Sequence, residues 1–347
     1  MQMVAKYIGF AGTYTRQNSK GIYRFELDTE TGTLDMLQVA DEIGNPTYLT
    51  ISADNHYLYS VVQDGGRGGI NAYELDRITG TLQHINSQLT EGAPPCHLDI
   101  RGNVLVTGNY HKGEIGLHHV QKQGALEAGT FLKHKGHGIH ERQEKSHVHY
   151  TGFTPDGKHV VAVDLGTDEL VTYKVKDNKL TRVATLQVKQ GSGPRHIVFH
   201  PNGNTAYLLT ELSSEVIVLM YDAETGTFSE KQYIRTVPDN FTDKNDASAI
   251  RISADGKFVY TGNRGHNSIA VFQVDEESFT LSMVEIVPSG GEWPRDFIID
   301  PSEAYIIVSN QHTGNLVLFT RNNETGKLSR MGSEIKVPEV VCVTFLR

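Results

Sequence analysis

The sequence predicts an all-β chain arranged as a seven-bladed β-propeller with four antiparallel strands in each blade. Three observations carry that prediction. A TGTL-like turn ending in leucine or phenylalanine recurs at Leu34, Leu82, Leu126, Leu180, Phe228, Leu281 and Leu328, seven copies spaced 44 to 54 residues apart. A second turn recurs six times between short apolar runs: Ser52-Ala53-Asp54-Asn55, a shortened Arg101-Gly102-Asn103, Thr154-Pro155-Asp156-Gly157, His200-Pro201-Asn202-Gly203, Ser253-Ala254-Asp255-Gly256 and Asp300-Pro301-Ser302-Glu303. No long stretch sustains apolar residues at i, i+3, i+4 and i+7, whereas Gly21 to Asp28 and Ile269 to Val274 alternate as strands do. Repeats of roughly 40–50 residues with about four short strands each are the mark of a propeller.

The missing seventh inner turn is explained by ring closure. If Glu339 to Phe345 forms the innermost strand of the last blade, and Tyr7 to Gly12, Gly21 to Asp28 and Leu34 to Val39 form its outer three, the chain ends fall where that turn would be. Pairing the two ends removes an open sheet edge. The chain is expected to form one domain over residues 1–347, since no linker interrupts the repeats. Asp64 to Gly69, DGGRGG, lacks the strand-loop-helix setting of a phosphate loop and reads as a tight turn between strands. Gly129 to Lys145 and Val237 to Asp246 are the two longest connections, each joining the outer strand of one blade to the inner strand of the next. Both are expected on the same face, where long loops wall binding sites in repeat architectures.

Composition narrows the function classes. A hydrophobic content of 38% permits a core, while the net charge of −9 and pI near 6.0 argue against nucleic acid and membrane surfaces as partners. Local arginines therefore say more about an anionic ligand than the total charge does. Two cysteines, Cys96 and Cys342, are too few for a disulfide scaffold or a four-thiolate metal site. The N-terminal MQMVAKYIGFAG lacks the pattern of a signal peptide, and no run approaches the roughly 18 apolar residues of a membrane span. A cytoplasmic protein is expected, of undetermined oligomeric state.

The most informative stretch is Gly191 to Leu212, GSGPRHIVFHPNGNTAYLLTEL, read as strand, turn and strand. Arg195 enters the first strand and Glu211 leaves the second, so the two finish side by side on one edge. Counting six residues back from the second residue of the inner turn gives Thr47, His149, Arg195, Ser248 and Arg295; counting ten forward gives Gln63, Leu165, Glu211, Arg264 and Gln311. Equivalent register puts these at one rim of the central channel. An inter-strand ion pair would also explain Arg195 beside Glu211, but the excess of arginine over carboxylate at a water-filled funnel points to an anion site.

The run FLKHKGHGIHERQEKSHVH brings His134, His137, His140, His147 and His149 together in sequence, yet its spacing matches no closed zinc module and no cysteine accompanies it. No metal is expected. His147 and His149 enter an inner strand and point to the same side, so either or both can reach the channel. No Ser-based elbow or activated cysteine is legible, which leaves direct attack of water on a substrate held by arginines.

GPRHIVFHPNG, TEL, NRGH and WPRDF, taken with SHVHYTGFTPDG and VDLGTDEL, resemble the lactonase-type seven-bladed propeller family, which includes bacterial 6-phosphogluconolactonases and a fungal carboxymuconate cyclase branch. The resemblance runs from about Tyr7 to the C-terminus. It implies a lactone ester as substrate, with water as second reactant, and a catalytic group of His149, Arg195, Glu211 and Arg264. These are residues that the register count selects independently. Under this reading Glu211 or His149 is the general base, Arg195 or Arg264 stabilises the oxyanion, and Gln63, His147, His196, Arg295 and Gln311 are the candidates for holding the substrate. The expected partner is a phosphorylated sugar lactone, with neither metal nor organic cofactor required. A lactonising cyclase, a lactonase for another acid and a non-catalytic propeller scaffold are the competing readings.

Overall fold

Turn chemistry sets the strand boundaries. Asp28, Asp76, Asp222 and Asp275 each accept the backbone N–H groups two and three residues ahead through one carboxylate oxygen, and Asn322 does so through its amide oxygen. These Asx turns reverse the chain between the third and fourth strands of five blades. In the turns joining first and second strands, the hydroxyls of Ser52, Thr154 and Ser253 donate to Asp54, Asp156 and Asp255, each at 2.6 Å.

The computed structural model describes residues 6–347, whose 28 strands make seven four-stranded antiparallel sheets. The predicted seven-bladed propeller is thus the fold. Second strands such as Val160–Asp164 and Thr205–Thr210 are buried along their whole length, because neighbouring blades cover both faces. Fourth strands such as Lys179–Gln187 lie on the perimeter and alternate between exposed and half-buried residues. Leu208 and Leu209 show the consequence for packing. The first joins Val161, Val163 and Leu170 of the preceding blade, and the second joins Ala247, Ile250 and Val259 of the following one. The core is therefore a ring of apolar layers between sheets. Among the described residues no helix is long and apolar enough to cross a membrane.

The ring closes as expected: Val340–Phe345 is the innermost strand of the sheet completed by Lys6–Thr13, Gly21–Asp28 and Thr33–Glu42, with Gly9 opposite Phe345 and Ala11 opposite Val343. Asp64 and Arg67 face each other across the two-residue turn Gly65-Gly66, so DGGRGG is the tight turn that was expected.

The third repeat departs from the reading. Its Leu126 is buried but belongs only to an isolated bridge with Val120, and the fourth strand begins four residues later, at Thr130–Lys133. Gly129, just before that strand, lies against the His118 ring, where a Cβ would stand 2.4 Å from Cε1. The connection expected over Gly129 to Lys145 thus contains that strand, and the loop proper starts at His134.

Candidate active site

Three innermost strands are preceded by a residue of positive φ followed by proline: Asn45-Pro46, Gly193-Pro194 and Trp293-Pro294, with φ of 47°, 58° and 66°. The carbonyls of Gly193 and Trp293 accept the backbone N–H groups of Glu211 at 2.7 Å and Gln311 at 3.0 Å. A Cβ at Gly193 would stand 2.4 Å from the Leu212 side chain, so this corner takes glycine. Proline and the corner hydrogen bond together fix Arg195 beside Glu211.

A cavity of about 610 Å³ opens here. Its lining includes Thr47, Gln63, His149, Glu211, Arg264 and Arg295 from the register positions, with Tyr14, Arg16, Tyr110 and Arg142 from loops and strand ends. Glu211 is the electrostatic centre. Its Oε2 accepts from Arg195 Nε at 2.9 Å and pairs with Arg264 Nη2 at 2.7 Å, while Oε1 accepts from Arg142 Nη2. Arg142 also donates through Nη1 to Asp246 Oδ1 at 2.9 Å. Arg264 is further tied to the carbonyls of Asp246 and Ala247 at 3.0 Å.

Burial alone would raise the Glu211 pKa, but the guanidiniums of Arg264 and Arg195 hold it well below the usual carboxylate range. Glu211 is therefore ionised, weakly basic and fully engaged. His149 behaves oppositely: burial, reinforced by the positive charge of Arg195, pushes its pKa well below 6.5. A neutral imidazole consequently lines a cavity rich in cations, and its Nδ1 has no hydrogen-bond partner among the described residues. Cys96 also lines the cavity, but burial raises its thiol to about 11, which keeps it protonated.

Other expected residues stand further back. Arg195, 3% exposed, is not among the lining residues; its Nη1 donates to the Ser248 carbonyl and to His196 Nε2, the latter at 3.2 Å. His196 thus accepts from Arg195 beneath the cavity, packed against the rings of His149 and His97 at centroid distances of 5.2 and 5.4 Å. His147 is stacked on Tyr110 at 4.1 Å, with its ring nitrogens bonded to the Tyr110 carbonyl and Glu144, and does not line the cavity. Of the two histidines in SHVH, His149 is the one at the cavity. Gln311 lines an adjoining groove that shares Tyr14 and Arg16 with it. Gln63 is at the cavity and accepts from Asn45 Nδ2 at 2.9 Å. Leu165 and Ser248 are buried behind the rim.

Arg142 was missed by register counting because it sits in a loop, where distance from a turn carries no geometric meaning. The signal available was a lone arginine inside a connection already expected to wall the site. The other members of that run disperse: His134 bonds to Asp164 and Tyr173, whereas His137 is exposed. Among the described residues no group of three or more His, Cys, Asp and Glu side chains is placed to hold a metal ion.

Comparison with known proteins agrees with this architecture. The family profile described as "Lactonase, 7-bladed beta-propeller" matches residues 8–345. The chain is 49% identical over 346 residues to the 6-phosphogluconolactonase of Bacillus subtilis (strain 168), covering 99% of each. A crystal structure of a Lactobacillus plantarum protein superposes with a TM-score of 0.95 at 39% identity, covering 99% of this chain and 100% of that one. The periplasmic gluconolactonase of Pseudomonas aeruginosa superposes with a TM-score of 0.93 at 29% identity, covering 99% of both. Matched along essentially its whole length by profile, sequence and structure, the chain belongs to the lactonase family of seven-bladed β-propellers.

Proposed function

We propose that the chain, folded as a single propeller domain, is a 6-phosphogluconolactonase that opens 6-phospho-D-glucono-1,5-lactone to 6-phosphogluconate. The observation that carries this reading is a neutral His149 facing the same cavity as Arg264 and Arg295, in a chain 49% identical to the Bacillus subtilis 6-phosphogluconolactonase. His149 takes a proton from water as the water oxygen attacks the lactone carbonyl. Arg264, clamped by Glu211 and two backbone carbonyls, faces the developing oxyanion with its orientation already fixed. Collapse breaks the bond from the carbonyl carbon to the ring oxygen, which recovers the proton from His149 and becomes the 5-hydroxyl of the open acid.

Glu211 is a positioning residue in this scheme, since three arginines occupy its two oxygens. Arg195 supports it from beneath, and Arg295 holds the phosphate. Neither a metal nor an organic cofactor takes part. A phosphorylated substrate fits a cytoplasmic location. Purified, EDTA-treated protein should hydrolyse the phosphorylated lactone faster than the uncatalysed control at the earliest time points; equality with that control would refute the assignment.

A second reading, hydrolysis of an unphosphorylated lactone, is favoured by the similarity to the Pseudomonas gluconolactonase. Rates on glucono-1,5-lactone and on its 6-phosphate separate the two. Saturation with the unphosphorylated lactone alone would support the second.

A further inference from the structure

The five arginines at the cavity region divide into two groups. Arg142, Arg195 and Arg264 are committed to Glu211. Arg16 and Arg295 also line the cavity, yet neither forms an ion pair among the described residues. Both lie instead against one aromatic ring, with Arg16 Cζ 4.0 Å and Arg295 Cζ 5.6 Å from the centroid of Tyr14. Two guanidiniums thus share one aromatic neighbour, and neither has a carboxylate partner among the described residues. In a chain of net charge −9 this is a local reversal of the overall field.

The loop that carries Arg16 is built to stay in place. The carboxylate of Glu339 accepts the backbone N–H groups of Arg16 at 3.1 Å and Gln17 at 2.9 Å, and the Tyr14 N–H donates to the Glu339 carbonyl at 3.0 Å. Thr15 N–H donates to Asn45 Oδ1 at 2.9 Å, and Asn45 in turn donates to Gln63. Backbone hydrogen bonds thus fix the position from which the Arg16 side chain extends, leaving its guanidinium available.

We propose that Arg16, acting with Arg295 across Tyr14, forms the subsite for a phosphate dianion and makes Arg16 a determinant of phosphorylated over unphosphorylated substrate. Tyr14 and Arg16 also line the adjoining groove that holds Gln311, so the subsite stands at the junction of the two hollows. The planar forks of the two arginines match phosphate oxygens, and the Tyr14 ring gives each guanidinium an aromatic neighbour. The substrate preference rests on the lactonase reading above, whereas phosphate binding by the resting protein does not.

Titration calorimetry on the full chain tests the subsite, with inorganic phosphate, 6-phosphogluconate and gluconate as ligands. The wild type should bind 6-phosphogluconate at least about 10-fold more tightly than gluconate, and Arg16→Ala should remove most of that difference, with Arg16→Lys intermediate. Kinetically, the preference for phosphorylated over unphosphorylated lactone should fall about 10-fold in Arg16→Ala, with the loss appearing mainly in KM. Unaltered thermal unfolding of the exposed Arg16 variants in the absence of ligand would show that the change is one of binding. Equal affinity of wild type and Arg16→Ala for 6-phosphogluconate, or no phosphate binding by the wild type, overturns the subsite. If phosphate binds through Arg16 but no lactone is hydrolysed, the subsite stands and the lactonase reading falls.

Discussion

Arg195 Nε donates to Glu211 Oε2 at 2.9 Å, and both side chains are at most 3% exposed. The pair joins the entrance of one strand to the exit of the next. Removing only one partner leaves a buried charge without its counterion. Glu211→Gln would set Arg142, Arg195 and Arg264 against one another, so we expect a stability loss of about 3–5 kcal/mol together with a sharp fall in kcat. Urea unfolding and initial rates on the same preparation check this; wild-type stability in the variant would contradict the central place given to Glu211.

Arg195→Lys keeps a charge but cannot engage Glu211, His196 and the Ser248 carbonyl at once. Turnover should fall by roughly 10- to 100-fold, as Glu211 and through it Arg264 lose their alignment. Arg295→Lys should instead raise KM with kcat little changed if Arg295 holds the phosphate as proposed, since a phosphate would be gripped in ground and transition states alike. Full kcat in Arg195→Lys at saturating lactone would make that arginine a fold element only.

His149→Gln should lower kcat by about 10²- to 10⁴-fold, the usual scale for losing a general base. The depressed pKa of His149 also fixes the shape of the pH profile: the neutral form persists well below pH 6.5, and the acid limb of kcat/KM, which reports the free enzyme, lies below that value. An acid limb centred at an ordinary histidine pKa would assign the proton transfer elsewhere.

Stability should fall on acidification for a related reason. Burial, with help from Arg251, lowers the His97 pKa from 6.5 to about 3, and burial lowers His149 and His196 in the same direction. The unfolded chain takes up these protons first. Stability is therefore full above about pH 6.5 and declines as the pH drops toward 3, by an amount on the order of 4 kcal/mol for His97. Urea midpoints at several pH values measure this, and His97→Phe should flatten the decline. A midpoint independent of pH between 7 and 4.5 would refute it.

The blades and the ring closure were legible because turns and strand periods are local properties that repeat seven times. Register then brought His149, Glu211, Arg264 and Arg295 to the cavity from four separate blades. It failed in depth: Arg195 is counted from its turn as His149 and Arg295 are, yet its guanidinium folds back onto Glu211 and His196. Spacing fixes where a Cα stands along a strand, whereas the direction of a long side chain is decided by partners contributed from elsewhere. Arg142 and Arg16 were invisible to counting for another reason, since both lie in loops whose course is set by the hydrogen bonds of Gln143 and Glu339.

The pairing of Val340–Phe345 with Lys6–Thr13 imposes an order on biosynthesis. Lys6–Thr13 can find its inner neighbour only after some 330 further residues have been made, which at 5–20 residues per second is a delay of roughly 15–70 s. During that interval six sheets can assemble in sequence while the hairpin of Lys6–Thr13 and Gly21–Asp28 waits with a bare hydrogen-bonding edge, open to chaperones and to mispairing with other chains.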